Sequence, residues 1–164
     1  MKETLIALVQ DRPGVLDRVA SLFRCRNFNI ESMTVGHSET PDISRMTLVV
    51  NVDSDAHREQ VIKQFHKLIE VTKVIDDVTP DRAVYRELAL IKVAATIETR
   101  SAVIQLVDIF NAHVLDVSAT SMTIEVTGEE DKVDSFISLL RPFGIKELAR
   151  TGRVAMLRGG NGKS

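Results

Sequence analysis

The chain has 164 residues, of which 44% are hydrophobic and 27% are charged, and its formal net charge is −2. These values exclude a disordered or collagen-like chain, and they do not indicate nucleic acid or an anionic membrane as a partner. Aromatic residues make up 4%, too few for a base-stacking surface. With one cysteine and no apolar run of transmembrane length, we expect a cytoplasmic protein.

The first half of the chain predicts six elements in the order βαββαβ. Runs of apolar or alternating residues predict strands over 4–9, 29–36, 45–52 and 71–78. Apolar residues at helical spacing predict two helices, one with Val15, Val19, Leu22 and Phe23, the other with Val61, Phe65, Leu68 and Ile69.

The second half repeats this order after a polar stretch around Pro80. Strands are predicted over 88–94, 114–119, 122–127 and 145–149, helices over 99–110 and 133–140, and a short further strand over 154–157. The fold class is therefore α+β, with two ferredoxin-like βαββαβ sandwiches. The predicted divisions are a first domain over 1–78, a linker over 79–84, a second domain over 85–158 and a flexible tail over 159–164.

Each predicted sandwich leaves one face of its sheet without helices. Val49 in the first half, and Ala89 and Ile91 in the second, indicate that these faces are partly apolar. Because an apolar face favours burial and a domain of about 80 residues is marginal alone, we expect a dimer.

Motifs for catalysis or metal binding are weak throughout. Cys25 has no general base placed beside it by any local motif, and no two of the four histidines show the spacing of a zinc site. The glycine-rich tail lacks the first glycine and the following helix that a phosphate-binding loop requires. We therefore expect no metal site and no catalytic residue.

The loop after the first strand, Asp11–Gly14, is the best candidate for a ligand site. Gly14 allows close approach of a ligand, and the helix that follows offers unpaired N–H groups to a carboxylate. Asn29 adds an amide, while Leu16 and Ile30 supply apolar surface. On spacing alone, Gly14 as a simple tight turn and Asn29 as a strand-entry residue remain open.

The same residues carry a family resemblance. The chain resembles the small, regulatory subunit of acetolactate synthase (acetohydroxyacid synthase), in order and over nearly its whole length. The segments that carry the resemblance are 11–16, 22–23, 27–35, 44–47, 64–69, 86–93, 116–118, 124–128, 139–145 and 149–152.

This resemblance implies an N-terminal ACT domain, a second βαββαβ domain and a homodimer. It also implies a chain without catalytic residues or a cofactor of its own. Its partner would be a large subunit that holds thiamine diphosphate, Mg²⁺ and FAD and condenses pyruvate with a second 2-keto acid. Binding would raise the activity of the large subunit and make it sensitive to valine.

By position, the resemblance places a valine site between two ACT domains. Its residues would be Asp11, Gly14, Val15, Leu16, Asn29 and Ile30. Asp11 stands where some members have Asn, and Asp17 where many have Ser. An added carboxylate at Asp17 would oppose the carboxylate of the ligand and favour its ammonium group.

Two other functions are compatible with the sequence. One is a stand-alone ACT-type amino-acid sensor that acts on another target. The other is a small acyl-phosphate hydrolase on a ferredoxin-like fold, for which Arg12 and Asn29 would be needed, although the glycine-rich oxyanion cradle is missing.

Overall fold

The computed structural model describes residues 1–159, which form two compact units. Unit 1 comprises Met1–Val84 together with residues 153–159, and unit 2 comprises Tyr85–Gly152. The predicted tail over 159–164 lies outside the described residues except for Gly159.

Unit 1 contains six elements that form a four-stranded antiparallel sheet with two helices. The strand order is β2-β3-β1-β4, so β2 and β4 are the edges. The elements are β1 (Lys2–Gln10), α1 (Val15–Cys25), β2 (Asn29–His37), β3 (Ile43–Asn51), α2 (Asp55–His66) and β4 (Val71–Ile75).

Unit 2 repeats the arrangement with strand order β6-β7-β5-β8. Its elements are β5 (Ala83–Ala94, which begins at the end of unit 1), α3 (Arg100–Ile109), β6 (His113–Val117), β7 (Ser121–Gly128), α4 (Glu130–Leu140), a 3₁₀ turn (Arg141–Phe143) and β8 (Ile145–Arg150). A last strand, β9 (Val154–Leu157), pairs with β5. The ferredoxin-like fold class predicted for both halves is confirmed.

Each core lies between one sheet face and two helices. In unit 1 the rings of Phe23 on α1 and Phe65 on α2 meet edge to face at 5.2 Å, against Leu5 and Leu48 of the sheet. In unit 2 the buried Phe136 of α4 packs on a cluster that includes Ile91 and Ile124. Most residues of the helical stripes therefore face inward, but Leu22 and Ile69 do not belong to the core cluster of unit 1. The helix α2 ends at His66, and Ile69 beyond it is 89% exposed.

The prediction for the helix-free faces was wrong for Ala89 and Ile91. Both are fully buried in the helix-covered core, because they share a strand face with Val93. The opposite face carries Leu90, which is 37% exposed.

In unit 1 the helix-free face does carry Val49, but the chain itself covers it. Val49 is 4% exposed and stands opposite Thr4 in the sheet. Arg153 Nη1 donates to the Thr4 hydroxyl at 3.0 Å, and Arg45 Nη2 donates to the Ala155 carbonyl at 2.8 Å. The segment around β9 therefore crosses this face and buries it within unit 1.

The boundaries of the two units differ from the predicted divisions at two points. The strand β5 begins at Ala83, inside the predicted linker over 79–84. Residues 153–158, predicted to belong to the second domain, group with unit 1 because β9 packs on its sheet.

Candidate functional site

A cleft of about 400 Å³ opens in unit 1 where β1 ends and α1 begins. Residues 9–17 form most of its wall, and Val35 of β2 and Ser44 of β3 complete it. Four of the predicted ligand residues therefore line one cleft, namely Asp11, Gly14, Val15 and Leu16.

The backbone of the loop is fixed by its own hydrogen bonds. Asp11 N–H donates to the Asp42 carbonyl at 2.9 Å and Arg12 N–H donates to the Gln10 carbonyl at 3.0 Å. Gly14 is the N-cap of α1 and has φ +84°, a left-handed conformation that favours glycine. No side chain caps this helix. Of its first-turn amides, Val15 N–H donates to the Arg12 carbonyl at 3.3 Å, and those of Leu16 and Asp17 receive no side-chain cap. Such a helix start is a favourable position for a carboxylate.

Charged side chains of both signs surround the same opening. Asp11, Asp17 and Arg12 are among the residues that line the cleft. Asp11 Oδ2 lies 3.5 Å from Nδ1 of His37, the last residue of β2. An amino acid needs donors for its carboxylate and acceptors for its ammonium group, and the helix start and the two aspartates supply them.

The apolar part of the cleft comes from residues that the core only partly covers. Leu16 is 49% exposed and Val35 is 39% exposed, whereas Val9 and Val15 are buried beneath them. Val35 and Ser44 were not predicted as site residues. The alternation of Met33 and Val35 along β2 was the available signal for Val35, whereas the place of Ser44 depends on its pairing with Val9.

The other two predicted residues, Asn29 and Ile30, lie at the opposite end of the sheet. Asn29 pairs with Asn51 at the end of β3, whereas Gln10 pairs with Ile43 at its start. Eight residues of extended strand separate these positions, which corresponds to roughly 27 Å. Within one chain, Asn29 and Ile30 therefore do not line the cleft of Gly14. The same separation keeps Asn29 away from Arg12, which argues against an acyl-phosphate hydrolase.

The corresponding helix start in unit 2 has different local chemistry. Thr99 is the N-cap of α3. Its hydroxyl accepts a hydrogen bond from Thr96 N–H at 2.9 Å and lies 3.3 Å from the hydroxyl of Thr96. The loop before α3 is thus held by its own side chains. Of these two helices, α1 is the one that begins at a left-handed glycine, and neither helix start has a side-chain cap.

Neither a metal cluster nor a membrane span is present in the part of the chain that the structure describes. Over residues 1–159, no group of three or more His, Cys, Asp or Glu side chains is arranged to hold a metal ion. No helix within this range is long and apolar enough to cross a membrane.

Comparison with known families assigns both units. Residues 5–73 match a family described as the AHAS small subunit-like ACT domain, and residues 86–159 match one described as the small subunit of acetolactate synthase.

Individual relatives match over nearly their whole length. A protein of Archaeoglobus fulgidus named "Probable acetolactate synthase small subunit" is 58% identical over 97% of this chain and 98% of its own. The acetolactate synthase small subunit of Bacillus subtilis is 48% identical over 97% and 92%. The crystal structure of the small subunit from Thermotoga maritima superposes with a TM-score of 0.92 at 46% identity, over 98% of this chain and 99% of that one.

Proposed function

Because the chain belongs to the family of acetolactate synthase small subunits, we propose that it is the non-catalytic regulatory subunit of that enzyme. In this role it binds and activates the catalytic large subunit and confers feedback inhibition by valine in branched-chain amino-acid biosynthesis. The observation that carries the proposal is the match of both units, in order, to the two domains of the family.

The chemistry of the reaction belongs, in this proposal, to the large subunit. That subunit holds thiamine diphosphate, Mg²⁺ and FAD and condenses pyruvate with a second 2-keto acid. The small subunit contributes binding energy, and a coupling of about 1–3 kcal/mol between its ligand and the large subunit suffices for a strong change in activity.

We propose that valine binds between two copies of unit 1. The edge strand β2 favours this arrangement, because Met33 and Val35 along it are 38% and 39% exposed. Two copies of β2 (Asn29–His37) that pair antiparallel about a twofold axis through Met33 place Asn29 of one protomer opposite His37 of its partner. His37 adjoins Asp11. The six predicted residues then meet in one site, four from one protomer and two from the other.

Each part of valine has a partner in this site. The first-turn amides of α1 receive the carboxylate, and Asp11 with Asn29 of the second protomer holds the ammonium group. Leu16 and Ile30 surround the isopropyl group, whose full burial contributes about 1.5–3 kcal/mol. Leucine differs from valine by one methylene, so we expect the site to discriminate between them by about ten- to two-hundredfold.

The proposal is tested by reconstitution with the large subunit. We expect the chain to co-purify with that subunit and to raise its rate of acetolactate formation, and millimolar valine to lower the rate again. No effect of the chain on that rate would refute the proposal. Valine binding without any affinity for the large subunit would instead indicate a stand-alone amino-acid sensor.

A further inference from the structure

Glu70 is a buried carboxylate beside the cleft that the proposed ligand site does not use. The residue is 8% exposed and stands directly before β4. Its side chain forms an ion pair with Nη1 of Arg18 on α1, and its carbonyl accepts a hydrogen bond from Gln10 N–H at 2.8 Å. A single residue thus connects the end of β1 with the first turns of α1.

Arg18, the partner of Glu70, also contacts the Gly14 loop. Its backbone N–H makes the first helical hydrogen bond of α1, to the Gly14 carbonyl at 3.0 Å. Its Nη2 lies 3.6 Å from the point that a Cβ on Gly14 would occupy. The Arg18 side chain is 53% exposed, so the ion pair lies at the margin of the core and does not serve to fill it.

The two elements joined by this pair are the two walls of the cleft. The end of β1 supplies Val9, Gln10 and Asp11, and the start of α1 supplies residues 14–17. Amides on one wall and carboxylates on both walls contact one small ligand only if the walls keep a fixed separation. When only a fraction of molecules has the binding geometry, the apparent dissociation constant rises by the inverse of that fraction.

A buried ion pair is weak evidence for stability, since desolvation offsets much of its attraction, but removal of one partner leaves an uncompensated charge. We propose that Glu70 and Arg18 are positioning residues for the amino-acid cleft. They hold the Gly14 loop and the start of α1 against the end of β1. The inference rests on the proposed function, because it concerns the affinity of the same cleft for valine.

The test is calorimetric titration of the full chain with valine, at a temperature where circular dichroism shows each variant to be folded. We expect Glu70→Gln and Arg18→Met each to weaken valine binding by about tenfold. Either change lowers the fraction of molecules in which the two walls of the cleft are placed to bind valine. The double variant is expected to be no more than about twofold weaker than either single one, since the two residues act as one unit. Arg18→Lys, which keeps the charge, is expected to stay within about threefold of the wild type.

Glu87 in unit 2 provides the matched control. It is also 8% exposed, and its two carboxylate oxygens accept from Nε and Nη2 of Arg150, each at 3.1 Å. Glu87→Gln is expected to lower the melting temperature to a similar degree and to leave the affinity for valine unchanged.

The outcomes separate this inference from the proposed function. If the wild type binds valine but Glu70→Gln lowers only the melting temperature, the pair is merely structural and the inference is overturned. Additive losses in the double variant would equally contradict a shared positioning role. If the wild type binds no branched-chain amino acid at all, the proposed ligand is wrong and the inference fails with it.

Discussion

Gly14 shows how one residue determines the shape of the proposed ligand cleft. Its φ of +84° turns the chain from the end of β1 into α1, and the absence of a side chain leaves the helix start open. An L-amino acid with a Cβ in this conformation is strained by roughly 1–2 kcal/mol. The backbone at Gly14 therefore depends on glycine for its conformation more than for space, because a Cβ at this position would lie 3.6 Å from its nearest neighbour, an ordinary van der Waals distance.

At the residue scale we predict that Gly14→Ala weakens valine binding by about tenfold or more. Alanine is strained by about 1–2 kcal/mol in this backbone conformation, and the loop moves out of its binding geometry to relieve that strain. Isothermal titration of the full chain measures this. Gly144→Ala is the control, because Gly144 has φ +96° in unit 2 and a Cβ there would meet Ala94 at the same 3.6 Å. It is expected to lower the melting temperature without an effect on valine. Equal losses of affinity in both variants would contradict the assignment.

Among the elements, β9 has the role that was least expected. It follows unit 2 in the chain, yet its residues belong to unit 1 and lie over the helix-free face of that sheet. Ala155 points inward at 1% exposure, whereas Met156 beside it is 60% exposed. The alternation of the strand thus separates an inner face, packed on the sheet, from an outer face in solvent.

At the element scale we predict opposite results for two neighbouring substitutions in β9. Ala155→Leu overfills a packed position and is expected to cost about 1–3 kcal/mol, which lowers the melting temperature by roughly 2–10 °C. Met156→Leu, on the exposed face, is expected to change it by less than about 1 °C. Thermal unfolding followed by circular dichroism compares the two, and a stable Ala155→Leu variant would show that β9 does not pack as described.

For the molecule as a whole, the register of β3 makes a single chain insufficient for the proposed site. Asn29 and Gly14 are at opposite ends of unit 1, so the proposed site needs Asn29 from a second protomer. Pairing along β2 also buries Met33 and Val35, which are otherwise exposed on an edge strand. Dimer formation and ligand binding are therefore linked in this proposal.

At the scale of the whole molecule we predict that two variants that each bind valine poorly restore binding when they form mixed dimers. Gly14→Ala and Asn29→Ala homodimers are each expected to bind valine poorly. In a mixture unfolded and refolded together, half of the dimers are mixed and each holds one intact site, so about a quarter of all sites recover wild-type affinity. Titration of the mixture gives that stoichiometry. Recovery of no sites would show that both residues act within the same protomer or do not bind the ligand.

Met33→Glu provides a second measurement of the same arrangement. It introduces a charge next to its twofold mate on the edge strand, and like charges opposite each other destabilise a strand pair. We expect sedimentation to show a shift toward monomer and valine affinity to fall with it. Thr72→Glu, on β4 at the other edge of the sheet, is the control and should leave the dimer intact.

Local patterns in the sequence determined most of the architecture. The stripe of Val15, Val19 and Phe23 was sufficient to place α1 and its buried face, and the alternation around Met46 and Leu48 placed β3. These patterns report which way a side chain points, a property of a few neighbouring residues. They failed where alternation did not show which face of a strand the helices cover. Ala89 and Ile91 share one face of β5 as predicted, but this face points to the core instead of the helix-free side.

The loop from Asp11 to Gly14 was also determined by the sequence, because a glycine before an amphipathic helix has a local conformational meaning. Three features were decided only by the tertiary structure: the separation of Asn29 from that loop, the return of β9 to unit 1, and the connection of Glu70 with Arg18. Each depends on contacts between residues that are far apart in the chain. Local periodicity carries no information about such contacts, since it leaves the pairing partners of a strand and the neighbours of a buried charge unspecified.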